Sequence, residues 1–104
     1  MSRLEQLQKF LEQDPRDSFT RYAIGLEYAS KKDLDLAIQS FEELRSLDAS
    51  YVPTYYQLAA CYRDKSDRTN AEAIYKLGIS QARAANDLHA ASELQAALDE
   101  LDDD

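Results

Sequence analysis

The sequence predicts an all-α protein, an α-α superhelix of about six helices stacked as helix-turn-helix pairs. Composition is the first reason: Gly and Pro number two each in 104 residues, while Ala, Leu, Glu, Gln, Lys and Arg dominate, which favours helix throughout. An internal repeat is the second. Ile24-Gly25-x-x-Tyr28 returns as Leu58-Ala59-x-x-Tyr62, and the same offset of 34 maps Tyr22 onto Tyr56, Asp33 onto Asp67, Ala37 onto Ala71, Phe41 onto Tyr75 and Leu44 onto Gly78. A large apolar residue, a tiny one, then an aromatic one turn on lets two helices cross closely. Ala37, Phe41 and Leu44, at spacings of four and three, give the second helix a matching face. Self-similarity at this period marks a stacked helical array.

Each element then follows in order. Residues 2–13 form a helix with Leu4, Leu7, Phe10 and Leu11 on one stripe. Ser2 and Glu5 have capping-box spacing, and Asp14-Pro15 stops the helix. Leu7 and Phe10 precede Phe41 and Leu44 by the repeat period, so this helix reads as the second half of a repeat, residues 2–15. Asp17 or Ser18 caps the next helix, which runs to about Ser30. Lys31-Lys32-Asp33 turns the chain into a helix from about Leu34 to Leu47. A helix from Val52-Pro53 to about Lys65 follows, with Pro tolerated in its first turn. Ser66-Asp67 turns into a helix over 69–84. Gly78 lies inside that helix, at a cost of roughly 1 kcal/mol against Ala, and close helix approach is the expected compensation. Asn86-Asp87 ends the second repeat. The last helix, about Leu88 to Leu101, places Ala90, Ala91, Leu94, Ala97, Leu98 and Leu101 on one face. It breaks the period, because Ser92, Glu93 and Ala96 fall where Leu58, Ala59 and Tyr62 would predict core. It is expected to cap the stack over residues 86–101, with Asp102-Asp103-Asp104 as a frayed acidic tail.

These residues resemble the tetratricopeptide repeat, whose pattern runs Trp-x2-Leu-Gly-x2-Tyr, then Ala, Phe, Ala and Pro. Residues 18–51 match it through Ile24, Gly25, Tyr28, Ala37, Phe41 and Leu44. Residues 52–85 match it through Tyr55, Leu58, Ala59, Tyr62, Ala71, Tyr75 and Gly78. Arg21 replaces the Trp, Lys32 and Ser66 replace a turn Gly, and Ala49 and Arg83 replace the closing Pro. The packing slots are kept and the turn chemistry is altered. The resemblance implies one repeat domain over residues 1–104 that binds protein or peptide and carries no cofactor.

Composition bounds the function classes. A formal charge of −8 opposes nucleic acid and anionic membrane as partners. No apolar run reaches bilayer length, and the first residues lack a secretory apolar core. A single cysteine excludes an internal disulfide and fits a reducing, cytoplasmic compartment. No catalytic constellation, metal-ligand spacing or phosphate-binding loop occurs, so no enzyme is expected. His89, the one histidine, reads as an exposed residue of the cap helix, and Cys61, between Leu58 and Tyr62, as a buried inert thiol.

Tyrosine is the informative residue type. Tyr28, Tyr62, Tyr75 and Tyr55 occupy packing slots, whereas Tyr22 and Tyr56 lie off the packing stripe. In the family the first helix of each repeat lines a concave groove. The matching positions are Phe19, Tyr22, Ala23, Leu26, Ala29 and Ser30, then Pro53, Tyr56, Gln57, Ala60, Arg63 and Asp64. The first set is free of charge, which is unusual for a face left to water: either it binds something or another part of the chain covers it, and binding is the expectation. The expected function is a protein-interaction module, a scaffold or adaptor, that takes a peptide or helix by burial at Tyr22, Leu26 and Tyr56. Phe19 and Ala60 join the site, and Gln57, Arg63 and Asp64 set orientation. Family members that clamp acidic chaperone C-termini use basic groove residues. Tyr22, Leu26 and Gln57 stand there instead, which disfavours that role. A monomer is expected; the alternative is a subunit that self-associates through the same groove.

Overall fold

The computed structural model describes residues 1–102 and contains six helices: α1 (Arg3–Gln13), α2 (Ser18–Ser30), α3 (Leu34–Leu47), α4 (Pro53–Asp64), α5 (Arg68–Ala84) and α6 (Leu88–Asp102). Consecutive helices pack on each other along the chain. Beyond these neighbours, α2 touches α4 and α4 touches α6, while α1, α3 and α5 make no such contacts among themselves. The even-numbered helices therefore form the inner layer of a curved stack.

Local chemistry sets the helix ends. Ser2 and Glu5 form the expected capping box: the Glu5 amide donates to Ser2 Oγ and the Ser2 amide to Glu5 Oε1. Asp17 caps α2 in position only, since its carboxylate accepts from the Thr20 hydroxyl rather than from a backbone amide. Pro53 opens α4 as predicted. Three helices close with a left-handed residue: Lys32 (φ 64°), Ser66 (φ 64°) and Asn86 (φ 58°). At each, the next amide reaches back to a carbonyl five residues earlier: Asp33 to Tyr28, Asp67 to Tyr62, and Asp87 to Ala82. This is the Schellman geometry. Lys and Ser occupy a conformation that costs a side-chain-bearing residue about 1–2 kcal/mol, so the turns survive the loss of the family glycine at an energetic cost.

Both glycines mark close crossings. A Cβ on Gly25 would lie 2.6 Å from Phe41 Cζ, and one on Gly78 would lie 2.5 Å from Tyr55 Cβ and 3.1 Å from Leu94 Cδ1. Phe41, Leu44, Leu58, Ala59, Ala71 and Tyr75 are all fully buried. Tyr62 packs half-buried, and its hydroxyl donates to Glu42 Oε2 at 2.6 Å, tying α4 to α3.

Phe10 departs from the expected stripe. It is 58% exposed, while Leu44, its counterpart one period later, is fully covered. The cause is a missing neighbour: α3 lies between α2 and α4, but α1 packs on α2 alone. Leu4, Leu7 and Leu11 still meet Ile24 and Tyr28 in a satellite cluster.

The last helix is shifted rather than unrelated to the repeat. Its buried Ala91, Leu94 and Ala97 follow Tyr55, Leu58 and Cys61 of α4 by 36 residues each, not 34. One period after Leu47, the end of α3, α5 would stop at Gln81. It runs on to Ala84 before its own left-handed turn. That overrun delays α6 and explains why Ser92, Glu93 and Ala96 face water. Leu94 and Leu98 are buried as expected, in a helix packed mainly on α5.

Candidate functional site

The inner layer carries an open groove of about 400 Å³ between α2, α4 and α6. Tyr22 forms its α2 wall. Val52, just before α4, and Pro53, Tyr56 and Gln57 on it form the floor, while Asp87, just before α6, and His89, Ala90, Glu93 and Leu94 on it complete the lining. Helical periodicity explains the set on α4: Pro53, Tyr56 and Gln57 are spaced i, i+3, i+4 and share one face. Tyr55 and Leu58, on the opposite stripe, are buried in the core.

The two tyrosines are held differently. Tyr22 is half-buried, its ring tilted against Phe41 at 5.9 Å and Tyr51 at 5.8 Å between centroids. Burial raises its hydroxyl pKa, and the neighbouring Gln57 side chain opposes the rise. Tyr22 is therefore a fixed wall that also supports the α2–α3–α4 junction, which corrects its reading as a residue off the packing stripe. Tyr56 is 40% exposed and meets fully buried Tyr75 edge-on at 6.3 Å. Its ring thus touches the core through Tyr75 while the residue lines the groove.

Of the eight residues singled out from sequence, Tyr22, Tyr56 and Gln57 come together here. Phe19 is 66% exposed and lies outside the groove lining. Leu26 is half-buried against the main core, and Ala60 is half-buried on α4. Arg63 and Asp64 pair with each other at 3.1 Å. Arg63 opens instead onto a separate recess with Ser66, Arg68 and Leu101. Ala23 proves to be core, buried with Leu7 and Ile24 under α1. The charge-free first set is thus explained partly by chain cover. Residues missed from sequence are Tyr51 and the polar face of α6, notably His89 and Glu93. The signal was present: α6 is the third inner helix in chain order, and a capping role obscured it.

Other reactive groups are quiet. Cys61 is buried, and burial first, Asp64 second, push its thiol pKa up. Such a thiol is a poor nucleophile. Among the described residues no His, Cys, Asp and Glu cluster of metal-binding type occurs, and no helix is long and apolar enough to cross a membrane.

The tetratricopeptide repeat description matches residues 20–51 and 52–85, well over half the chain. The protein belongs to the tetratricopeptide repeat family. Solved structures agree. A tetratricopeptide repeat domain protein from Salinibacter ruber, solved in solution, is similar at 38% identity and a TM-score of 0.80, over 85% of this chain and 89% of that one. A Bordetella parapertussis protein is similar in fold at 24% identity and a TM-score of 0.85, over 97% and 88% of the two chains. The type III secretion translocator chaperone SycD of Yersinia enterocolitica shares the fold at 18% identity and a TM-score of 0.86, over 95% of this chain and 69% of its own. No curated protein matches the sequence. Tetratricopeptide repeats serve generally as protein-interaction modules.

Proposed function

We propose that this protein is a non-enzymatic interaction module, working in the cytoplasm as a monomer, that receives a peptide segment or partner helix in the groove between α2, α4 and α6. Residues 2–15 serve as a half repeat, 18–51 and 52–85 as full repeats, and 86–101 as a closing helix of one domain. The observation that carries the reading is the groove itself, with Tyr56 standing 40% exposed over a fully buried aromatic floor. An aromatic ring fixed from below and open above offers large contact area at little entropic cost. Tyr22 and Gln57 frame it. Phe19, Leu26, Ala60, Arg63 and Asp64 then act outside the central contact, as flanking residues.

The test is binding by the intact chain and its variants to peptides selected from a displayed library. Tyr56→Ala is expected to cost about 1–2 kcal/mol in binding, the usual size for an aromatic anchor, with the thermal melt nearly unchanged. Tyr22→Ala is expected to weaken binding and also lower stability, because its ring packs on Phe41 and Tyr51. Binding indifferent to both substitutions rejects the groove. The competing reading is self-association through the same groove. In it, a large apolar side chain exposed on a second copy, such as Phe10, Phe19 or Leu88 at 58%, 66% and 66%, takes the place of the peptide in the groove. Sedimentation over a dilution series separates the two, since the module stays monomeric at every concentration.

A further inference from the structure

The groove has a charge as well as a shape. Among the described residues two carboxylates line it, Asp87 and Glu93, and no Lys or Arg does. Asp87 is committed to capping α6, with Oδ1 accepting the Ala90 amide at 3.1 Å. Glu93 is different. Its side chain is 55% exposed and meets the Nε2 of His89 at 2.7 Å, an imidazole itself 87% exposed. The rest of the lining from α2 and α4 is mostly apolar and aromatic, Tyr22, Val52, Pro53 and Tyr56, with Gln57 as its polar side chain.

On the reading of this groove as the binding site, we infer that its partner is a basic-apolar peptide segment, with a lysine or arginine beside the apolar side chain that seats against Tyr56. A guanidinium or ammonium reaching Glu93 replaces the exposed imidazole contact with a charge-assisted hydrogen bond. Tyr56 lines the same groove, and a cation brought over its ring gains a further favourable electrostatic contact. The molecule's net charge of −8 draws a basic segment in from a distance. An acidic segment meets two carboxylates and no cation, so the groove selects against it. Specificity thus comes from α6, and the apolar contact comes from α2 and α4.

The test uses the intact chain against random short peptides displayed on phage, with Tyr56→Ala, Glu93→Gln and Glu93→Lys in parallel. The wild-type chain is expected to enrich sequences with Lys or Arg adjacent to an aromatic or aliphatic residue. A synthetic peptide of that consensus is expected to lose about two- to fivefold in affinity on Glu93→Gln, the size of one exposed ion pair. It should lose more on Glu93→Lys, and bind more weakly as salt is raised. Thermal melts of the Glu93 variants are expected to match the wild type, because the side chain is exposed. Enriched peptides that require Tyr56 but lack a basic residue, or carry acidic ones, overturn this inference and leave the groove standing. Absence of any peptide that depends on Tyr22 or Tyr56 removes the groove and the inference together.

Discussion

At the scale of single residues, two missing methyl groups hold the stack together. Gly25 sits under the buried ring of Phe41, and Gly78 under the Cβ of Tyr55. The two neighbours differ in how they could yield. A ring can tilt only where its neighbours give way, and Phe41 is fully buried among them. A Cβ cannot move without its backbone. Gly78→Ala gains about 1 kcal/mol of helix propensity and still is expected to lower stability, because overpacking costs roughly 1–3 kcal/mol. Gly25→Leu is expected to cost at least as much. Urea unfolding of both variants checks this, and unchanged midpoints would contradict the crossings described.

At the scale of elements, α6 does two jobs. One face covers α5 with Leu94 (2% exposed) and Leu98 (8%), and the other lends Glu93 and His89 to the groove. A terminal helix of a repeat stack must bury its neighbour's apolar face while keeping a polar one for water. Truncation after Ala85 is therefore expected to expose apolar surface and lead to aggregation or partial unfolding. The point substitution Leu94→Ala is the milder probe, with an expected loss of about 2–5 kcal/mol. Light scattering and circular dichroism would follow both. A truncated chain that stays monomeric and equally stable would make α6 an appendage.

At the scale of the whole molecule, the tyrosines make the fold sensitive to alkali. Burial raises the pKa of Tyr22, Tyr51, Tyr55 and Tyr75 above the ordinary 10.0. Tyr62 is pushed up to about 12, first by burial and then by its bond to Glu42. A raised folded value means the native state holds protons that the unfolded chain releases. The contribution to stability is complete below about pH 10 and falls away as pH rises through about 12. Denaturant midpoints are expected to be level up to about pH 10 and to decline above it, with Tyr62→Phe flattening part of the slope. A midpoint that stays level up to about pH 12 would contradict the protonated Tyr62–Glu42 pair.

The repeat, its period and its packing slots were legible in the sequence, because they depend on local rules: helix propensity, capping at Ser2 and Pro53, and a tiny residue opposite an aromatic. Tyr75, Leu58 and Ala59 are buried for reasons visible one helix at a time. The turns were legible even without their glycines, since the helix-closing pattern needs one left-handed residue and tolerates Lys or Ser. The candidate site was legible only in part. Tyr56 and Gln57 follow from periodicity on α4, but whether Tyr22 is wall or core depends on Phe41 and Tyr51 from two other elements. Exposure of Phe10 likewise depends on which helices flank α1. The entry of Glu93 and His89 into the groove depends on how far α5 runs before it turns. Local chemistry fixes what each helix buries; contacts between distant segments decide which polar faces meet across the space left over.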